Sequence, residues 1–441
     1  MATKASAYLS MVERAQGSHA GEPAWLRDLR GSALAEFRRA GFPTTRHEDW
    51  RFTNVAPIGD TPFVEPPPAE VSPDEVARVL VPGVAGPVLV FVDGRFAGKL
   101  STPAPPSGGV TLRPLADALL ERPAVLEAHL GRYATVADRP FAALNTASFE
   151  DGAIVEVADA AVVEGAIQVV FLSTVTPAPA VSHPRVLVLL GRHSQARVVE
   201  TFAGLGPTRG LTNAVSEFVL DEGAWLDHVR LQREPGSAFH VGRAQFHVGR
   251  AARVSSTALA LGGLIARLDT VAVLAGEGAD ATLNGLYLAD GVRLVDNHTD
   301  IDHAVPHGTS RQLYKGILDG RARGVFNGRV RVRPDAQKTD ARQTNKTLLL
   351  SDDAQVNTKP QLEIFADDVK CTHGATVGQL SAEALFYLRA RGIGEQDARA
   401  MLVRAFAADV TGRIGLDPLR ADIDRRLASM LPGGRVAEVV A

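Results

Sequence analysis

At 441 residues the chain is long enough for two or three cores, since domains usually run about 100–200 residues. A hydrophobic share of 45%, a charged share of 22% and a net charge of −3 are those of an ordinary globular protein and give no sign of a nucleic-acid or membrane partner. No apolar run reaches the ~18 residues of a spanning helix, the N-terminal MATKASAYLS has no signal-peptide core, and a lone cysteine cannot close an internal disulfide, so the expectation is an intracellular, cytoplasmic protein.

The first predicted element is a helix over residues 22–40, EPAWLRDLRGSALAEFRRA. Its Trp25, Leu26, Leu29, Ala33 and Phe37 recur at three- and four-residue steps, and Gly41 ends it. After RHEDWRFTNV comes a Pro-rich connector over 62–73, centred on Pro66-Pro67-Pro68. A strand GPVLVFVDG at 86–94 and helical patterns at 114–133 complete a helical and mixed region taken as residues 1–160.

From about residue 162 the texture becomes short β-type runs separated by turns. A turn of type (Asp/Gly)-small-Ala returns at Ala224, Ala252 and Ala279, spaced 28 and 27 residues, and related turns fall at Ala322, Ala336, Ala354 and Val369, spaced 14, 18 and 15. Repetition made only of strands and turns predicts a stacked β-solenoid over 161–378, with a β-sandwich as the alternative. Fifteen residues is too short for a helical crossover, which argues against a doubly wound sheet.

Residues 379–441 read as helical again. Ser381 is the expected N-cap of EALFYLRAR, Glu383 favours its first turn, and Gly392 is its stop. EQDARAMLVRAFAADV places Ala398, Met401, Leu402, Ala405 and Phe406 on one predicted face, and a third helix begins at Asp417-Pro418. These apolar faces need cover, either from the solenoid or from another subunit.

Three constellations could carry chemistry. In ADDVKCTHGAT, Cys371 and His373 are two apart, so on a strand both side chains share one face, an arrangement that suits a soft metal or an iron–sulfur fragment. Two ligands do not close a site; the other reading is a buried cysteine beside a hydrogen-bonded histidine. In DNHTDIDHAVPHGTSRQ, Asp296, His298, Asp300, Asp302, His303 and His307 offer either metal ligands or a polar ladder satisfied by neighbouring rungs; Pro306 and the β texture speak against a helical His303–His307 pair. Arg329, Arg331 and Arg333 alternate along one strand face, either an anion stripe or a solvated, charge-balanced surface. The chain has no G-x-x-x-x-G-K-[ST] loop, no G-x-S-x-G elbow, no H-E-x-x-H and no C-x-x-C, so a binding or scaffolding role gains weight over a self-contained enzyme.

RHEDWRFTNV, the long block from VDNHTDIDHAVPHGTSRQ through FADDVKCTHGATVGQL, and EALFYLRARGIGEQDARAMLVRAF closely resemble the scaffold subunits of the Suf iron–sulfur cluster assembly machinery, the SufB/SufD family. Scaffolds of the B type typically carry EHEAT where this chain has CTHGAT, together with a further cysteine, so the resemblance is to the D-type branch. It implies a right-handed parallel β-helix core between two helical domains and a non-enzymatic scaffold of a SufBC2D-type complex. It also implies pairing with a homologous SufB-type subunit, with a nascent iron–sulfur cluster forming at their junction from sulfur delivered by a cysteine desulfurase system. His373 would be the D-side candidate ligand, with Cys371 the interface thiol beside it. The resemblance implies docking of a SufC-type ABC ATPase on the C-terminal helices, where Phe386, Tyr387, Arg389, Met401 and Phe406 fall in the matching stretch. Reduced flavin as a cofactor of the complex, and a homodimer of the chain alone, are further expectations. The other classes weighed are a solenoid enzyme of the lyase or acyltransferase type and a B-type scaffold acting as a homodimer.

Overall fold

A computed structural model describes residues 8, 11–13, 21–104 and 109–430; most of MATKASAYLS, and residues 431–441 of the C-terminal region, lie outside the described residues. Its core is a parallel β-solenoid in which successive strands alternate between two ten-stranded sheets. The first sheet climbs through Gln195–Gly204, Trp225–Arg233, Arg253–Ala260, Asp280–Ala289, Thr309–Leu318 and Asp340–Leu349 to Lys370–Gly378. The second climbs through Leu211–Leu220, Phe239–Val248, Ile265–Leu274, Leu294–His303 and Arg323–Val332 to Gln355–Ile364. Neighbours along these runs are parallel and in register, which excludes the sandwich alternative.

The alanine repeat marks the corners. Ala224, Ala252 and Ala279 precede strands of the first sheet, whereas Ala322 and Ala354 precede strands of the second, and Ala336 lies in the corner between Arg323–Val332 and Asp340–Leu349. The longer spacing is therefore a full turn and the shorter one a half turn. Each of these side chains is at most 4% exposed, packed where the two sheets converge.

Strand alternation separates lumen from surface. In Asp340–Leu349 the side chains of Ala341, Gln343 and Asn345 are buried in the lumen, and Arg342 and Lys346 point out. The early lumen is apolar and aromatic: Phe171 stacks on Phe202 with ring centroids 5.2 Å apart, and Phe218 on Phe246 at 4.6 Å. Further along, Tyr287 and Tyr314 each lie across a glycine; a Cβ on Gly316 would meet the Tyr287 ring at 2.2 Å, and one on Gly285 would meet the Tyr314 ring at the same distance.

Helices cover the outside of both sheets. The N-terminal helix Ala24–Ala40 buries Leu26, Ala33, Leu34 and Phe37, and the Gly41 N–H closes it on the Phe37 carbonyl at 2.8 Å. Together with Trp50, Val55, Ile58 and Phe141 it covers Leu211, Phe239, Val241 and Ile265 of the second sheet. The Pro-rich connector ends in a capping box, Ser72 with Glu75, that starts the helix Pro73–Val79. RHEDWRFTNV straps this region down. The Arg267 guanidinium lies 3.7 Å over the Trp50 ring and donates to the Asp49 carbonyl at 2.6 Å, while Thr53 Oγ1 donates to Asp296 at 2.5 Å.

At the C-terminal end, Ser381 Oγ accepts the Ala384 N–H at 3.2 Å, as a cap should, and starts the helix Ala382–Arg389. The helix Glu395–Thr411 departs in part from the predicted face: it buries Ala398 as expected, but alongside Ala400, Val403, Ala407 and Val410, leaving Met401 exposed. Two apolar stripes compete on this helix. The stripe of small and β-branched residues lets the backbone approach Leu259, Leu286 and Leu313 closely, so it turns inward. Lys315 pins the helix, donating to the Phe406 carbonyl at 2.8 Å and pairing with Asp409 at 2.5 Å.

Candidate functional site

Among the described residues the solenoid ends without a cap. Gln355–Ile364 and Lys370–Gly378 each pair on one side only, leaving a row of unpaired backbone N–H and C=O groups on both sheets. Side chains that would be lumenal on an inner rung are open here, and Phe365 (62% exposed) and Val377 (47%) stand as bare apolar surface beside them.

Cys371 and His373 sit on this last strand and face the lumen. In register, Cys371 stacks on Ala341 and His373 on Gln343. The thiol is half-buried against Val330, Val332, Ala336, Ala341 and Ala366. Burial pushes it up from the ordinary cysteine value; a backbone hydrogen bond from Ala341 pulls the other way, and the Asp340 carboxylate adds to the rise. It is therefore a neutral thiol at rest, and binding a metal must cost it a proton. His373 is exposed. Among the described residues no group of three or more His, Cys, Asp or Glu side chains could hold a metal ion.

Behind His373 the lumen is polar. Gln343 donates to Gln312 at 2.6 Å, and Asn345 donates to the Tyr314 carbonyl at 3.3 Å. Gln312 Nε2, Gln343 Oε1, Asn345 Oδ1, Asn297 Nδ2 and Thr299 Oγ1 are buried with no partner among the described residues. Lone glutamines and asparagines on strands give no sequence signal of this kind; only the register brings them together.

The acidic and histidine cluster is a ladder between rungs. Asp296 is fully buried on the outer face; burial alone would raise its carboxyl, but His298 and Arg267 outweigh that and hold it down to about 2. Asp300 pairs with Arg329, Asp302 with Arg333 at 2.7 Å, and Arg331 with Glu363 at 3.0 Å, so the arginine stripe is charge-balanced by its neighbours. His303 instead faces the lumen, bonded to Ser310 at 2.9 Å, and His307 sits in a corner at φ 62°.

The residues expected to meet an ATPase divide. Phe386 (74% exposed), Tyr387 (56%) and Met401 (41%) present apolar surface, with the Arg391 guanidinium 4.1 Å over the Tyr387 ring. Arg389 pairs with Glu395 at 3.3 Å. The Phe406 ring turns towards the solenoid, 4.2 Å from the Lys315 ammonium.

One feature gave no sequence signal beyond its motif. A pocket of about 460 Å³ lies between RHEDWRFTNV and the outer face of the second sheet, floored by His298, Asn327 and Asn357.

The fold and the site define the class as a parallel β-solenoid sheathed in helices, with a thiol and an imidazole on its last strand. Residues 172–406 match the family model for the SufBD core domain of SUF-system FeS cluster assembly, and residues 3–169 match that for the SufBD N-terminal region. The chain is 32% identical over 386 residues to an iron–sulfur cluster assembly SufBD family protein of Synechocystis, covering 86% of this chain and 85% of that one. It is 33% identical over 409 residues to the iron–sulfur cluster assembly protein SufD of Escherichia coli (91% and 92%), and 25% over 415 residues to SufD of Bacillus subtilis (91% and 93%). The chain belongs to the SufBD family of iron–sulfur cluster assembly proteins, and within it is a SufD homologue. Among the described residues, no helix is long and apolar enough to cross a membrane.

Proposed function

We propose that this chain is a non-catalytic scaffold of a Suf-type complex, pairing through the open solenoid end with a homologous B-type subunit and carrying an ABC-type ATPase on its C-terminal helices. In this reading residues 1–160, 161–378 and 379–441 act as helical clamp, β-helix core and ATPase mount. The observation that carries it is the uncapped end, where two strand edges, bare Phe365 and Val377, and the lumen-facing Cys371 and His373 all fall on one surface. A strand edge is best satisfied by another strand, and a homologous solenoid supplies one for each sheet. Cys371 and His373 would then be one half of a site for the nascent cluster, the cargo of the complex, with reduced flavin a cofactor of the assembly. Phe386, Tyr387 and Met401 are the anchors an ATPase groove would take, supported by Arg389, while Phe406 holds the mount to the solenoid.

The test is anaerobic co-expression with the B-type subunit and the ATPase, comparing wild type with His373→Ala for complex recovery, iron and acid-labile sulfide. A complex that forms normally but loses its iron and sulfide is the expected result. Unchanged iron and sulfide would remove His373 from the site.

A further inference from the structure

Half of RHEDWRFTNV is accounted for by the strap: Trp50 under Arg267, Thr53 on Asp296, and Val55 in the core beneath the N-terminal helix. The other half points away from it. Arg46 and Arg51 have no side-chain hydrogen bond or ion pair among the described residues, and Phe52 is 43% exposed; all three line the 460 Å³ pocket. The pocket's acidic groups are already committed, Glu48 to Lys359 at 2.5 Å and Asp49 to Arg139 at 2.7 Å. Of its other basic side chains, Lys359 is thus paired, and His298 lies 3.1 Å from the buried Asp296. What remains without an ion pair is two guanidinium groups, that of Arg51 lying 5.7 Å over the Phe52 ring, with the amides of Asn327 and Asn357, around a concavity large enough for a small molecule.

We propose that this pocket binds a small organic oxyanion, a phosphate ester or a polycarboxylate, whose charged group is taken by Arg46 and Arg51. A guanidinium fork matches either group through paired N–H donors, and the Asn amides can fix the ligand's remaining polar atoms. Phe52 separates the two sources: its ring can stack on a planar base but offers a polycarboxylate nothing. Because Asn357 and Lys359 lie on the edge strand Gln355–Ile364, the pocket adjoins the open end, and an occupant there would brace that strand against the strap.

The full chain is titrated calorimetrically with AMP and, separately, with citrate, at low and at physiological salt. The expected result is binding of at least one probe with a Kd below about 1 mM, weakened at least about tenfold in an Arg46→Ala/Arg51→Ala variant. Both side chains are exposed and make no hydrogen bond or ion pair among the described residues, so this variant keeps the wild-type melting temperature. Loss of AMP binding in Phe52→Ala identifies a phosphate ester with a planar base; citrate binding indifferent to Phe52→Ala identifies a polycarboxylate. Absence of binding by both probes, or binding unchanged in the double arginine variant, overturns the proposal.

Discussion

Where the solenoid begins, each sheet is closed by an antiparallel strand, Arg95–Phe96 on Val88–Val92 and Val110–Pro114 on Gly152–Val157, and the rungs behind them are filled by the ladder of Phe91, Phe171 and Phe202. Where it ends, both edge strands are bare among the described residues and the lumen is lined by Gln312, Gln343 and Asn345. The same backbone geometry thus serves two purposes. Aromatic stacking and short antiparallel edge strands hold the fold at one end, and at the other those stabilising devices are withheld, which keeps polar groups and long parallel strand edges available to a second molecule.

The largest expected effect tests the claim that stability is concentrated at the closed end. Glu217 is fully buried, pairs with Arg185 at 2.5 Å and accepts the N–H groups of Gly131, Tyr133 and Ala134. Glu217→Ala strands a buried guanidinium and three N–H donors, and should cost about 3–5 kcal/mol in urea unfolding. A loss as small as that of a surface substitution would break the comparison.

A smaller effect is expected in acid. Glu200, in the early lumen, would be raised by burial, but Arg230, His228 and Ser216 bring it down to about 2. A carboxylate depressed in the folded state adds stability that is fully present above its unfolded value of about 4.3 and is lost as pH falls towards 2, an order of about 3 kcal/mol. Thermal melts between those limits should show a steep acid limb for wild type and a flatter one for Glu200→Gln. Equal slopes would mean that the acid sensitivity arises elsewhere.

The smallest effect belongs to the open end. His373→Ala and Phe365→Asp should each change unfolding free energy by no more than about 0.5 kcal/mol, since both side chains are already in solvent. Phe365→Asp should nonetheless abolish recovery of the B-type subunit in a pull-down. A variant that unfolds, or one that still binds, would show that the two ends are less different than their packing implies.

Much of this was legible from the residues. The alanine corners gave the turn length, Ser381 and Gly392 bounded a helix, and the Cys371–His373 spacing put both groups on one face. What escaped depends on which of two acceptable faces wins. Glu395–Thr411 has two apolar stripes, and only the approach to Leu286 and Leu313 decides between them. For Arg329, Arg331 and Arg333 the residues alone leave an anion stripe and a charge-balanced surface both open, because the acidic partners that decide it lie about a full turn away in sequence, on Leu294–His303 and Gln355–Ile364. Buried pairs such as Arg185–Glu217 leave no trace in hydropathy at all, since each residue alone reads as surface.

The order of the rungs along the axis is also the order of the residues along the chain, and each rung contacts chiefly its neighbours. Such a molecule can be completed progressively as it leaves the ribosome, with every new turn docking on a finished one. Glu395–Thr411 emerges after the last strand, yet folds back onto rungs laid down well before it, through Val403, Ala407 and Lys315. A stretch made after the last rung therefore acts as a latch on the middle of the stack, and a chain cut short before it would leave Leu286 and Leu313 uncovered, a surface by which quality control could recognise an unfinished copy.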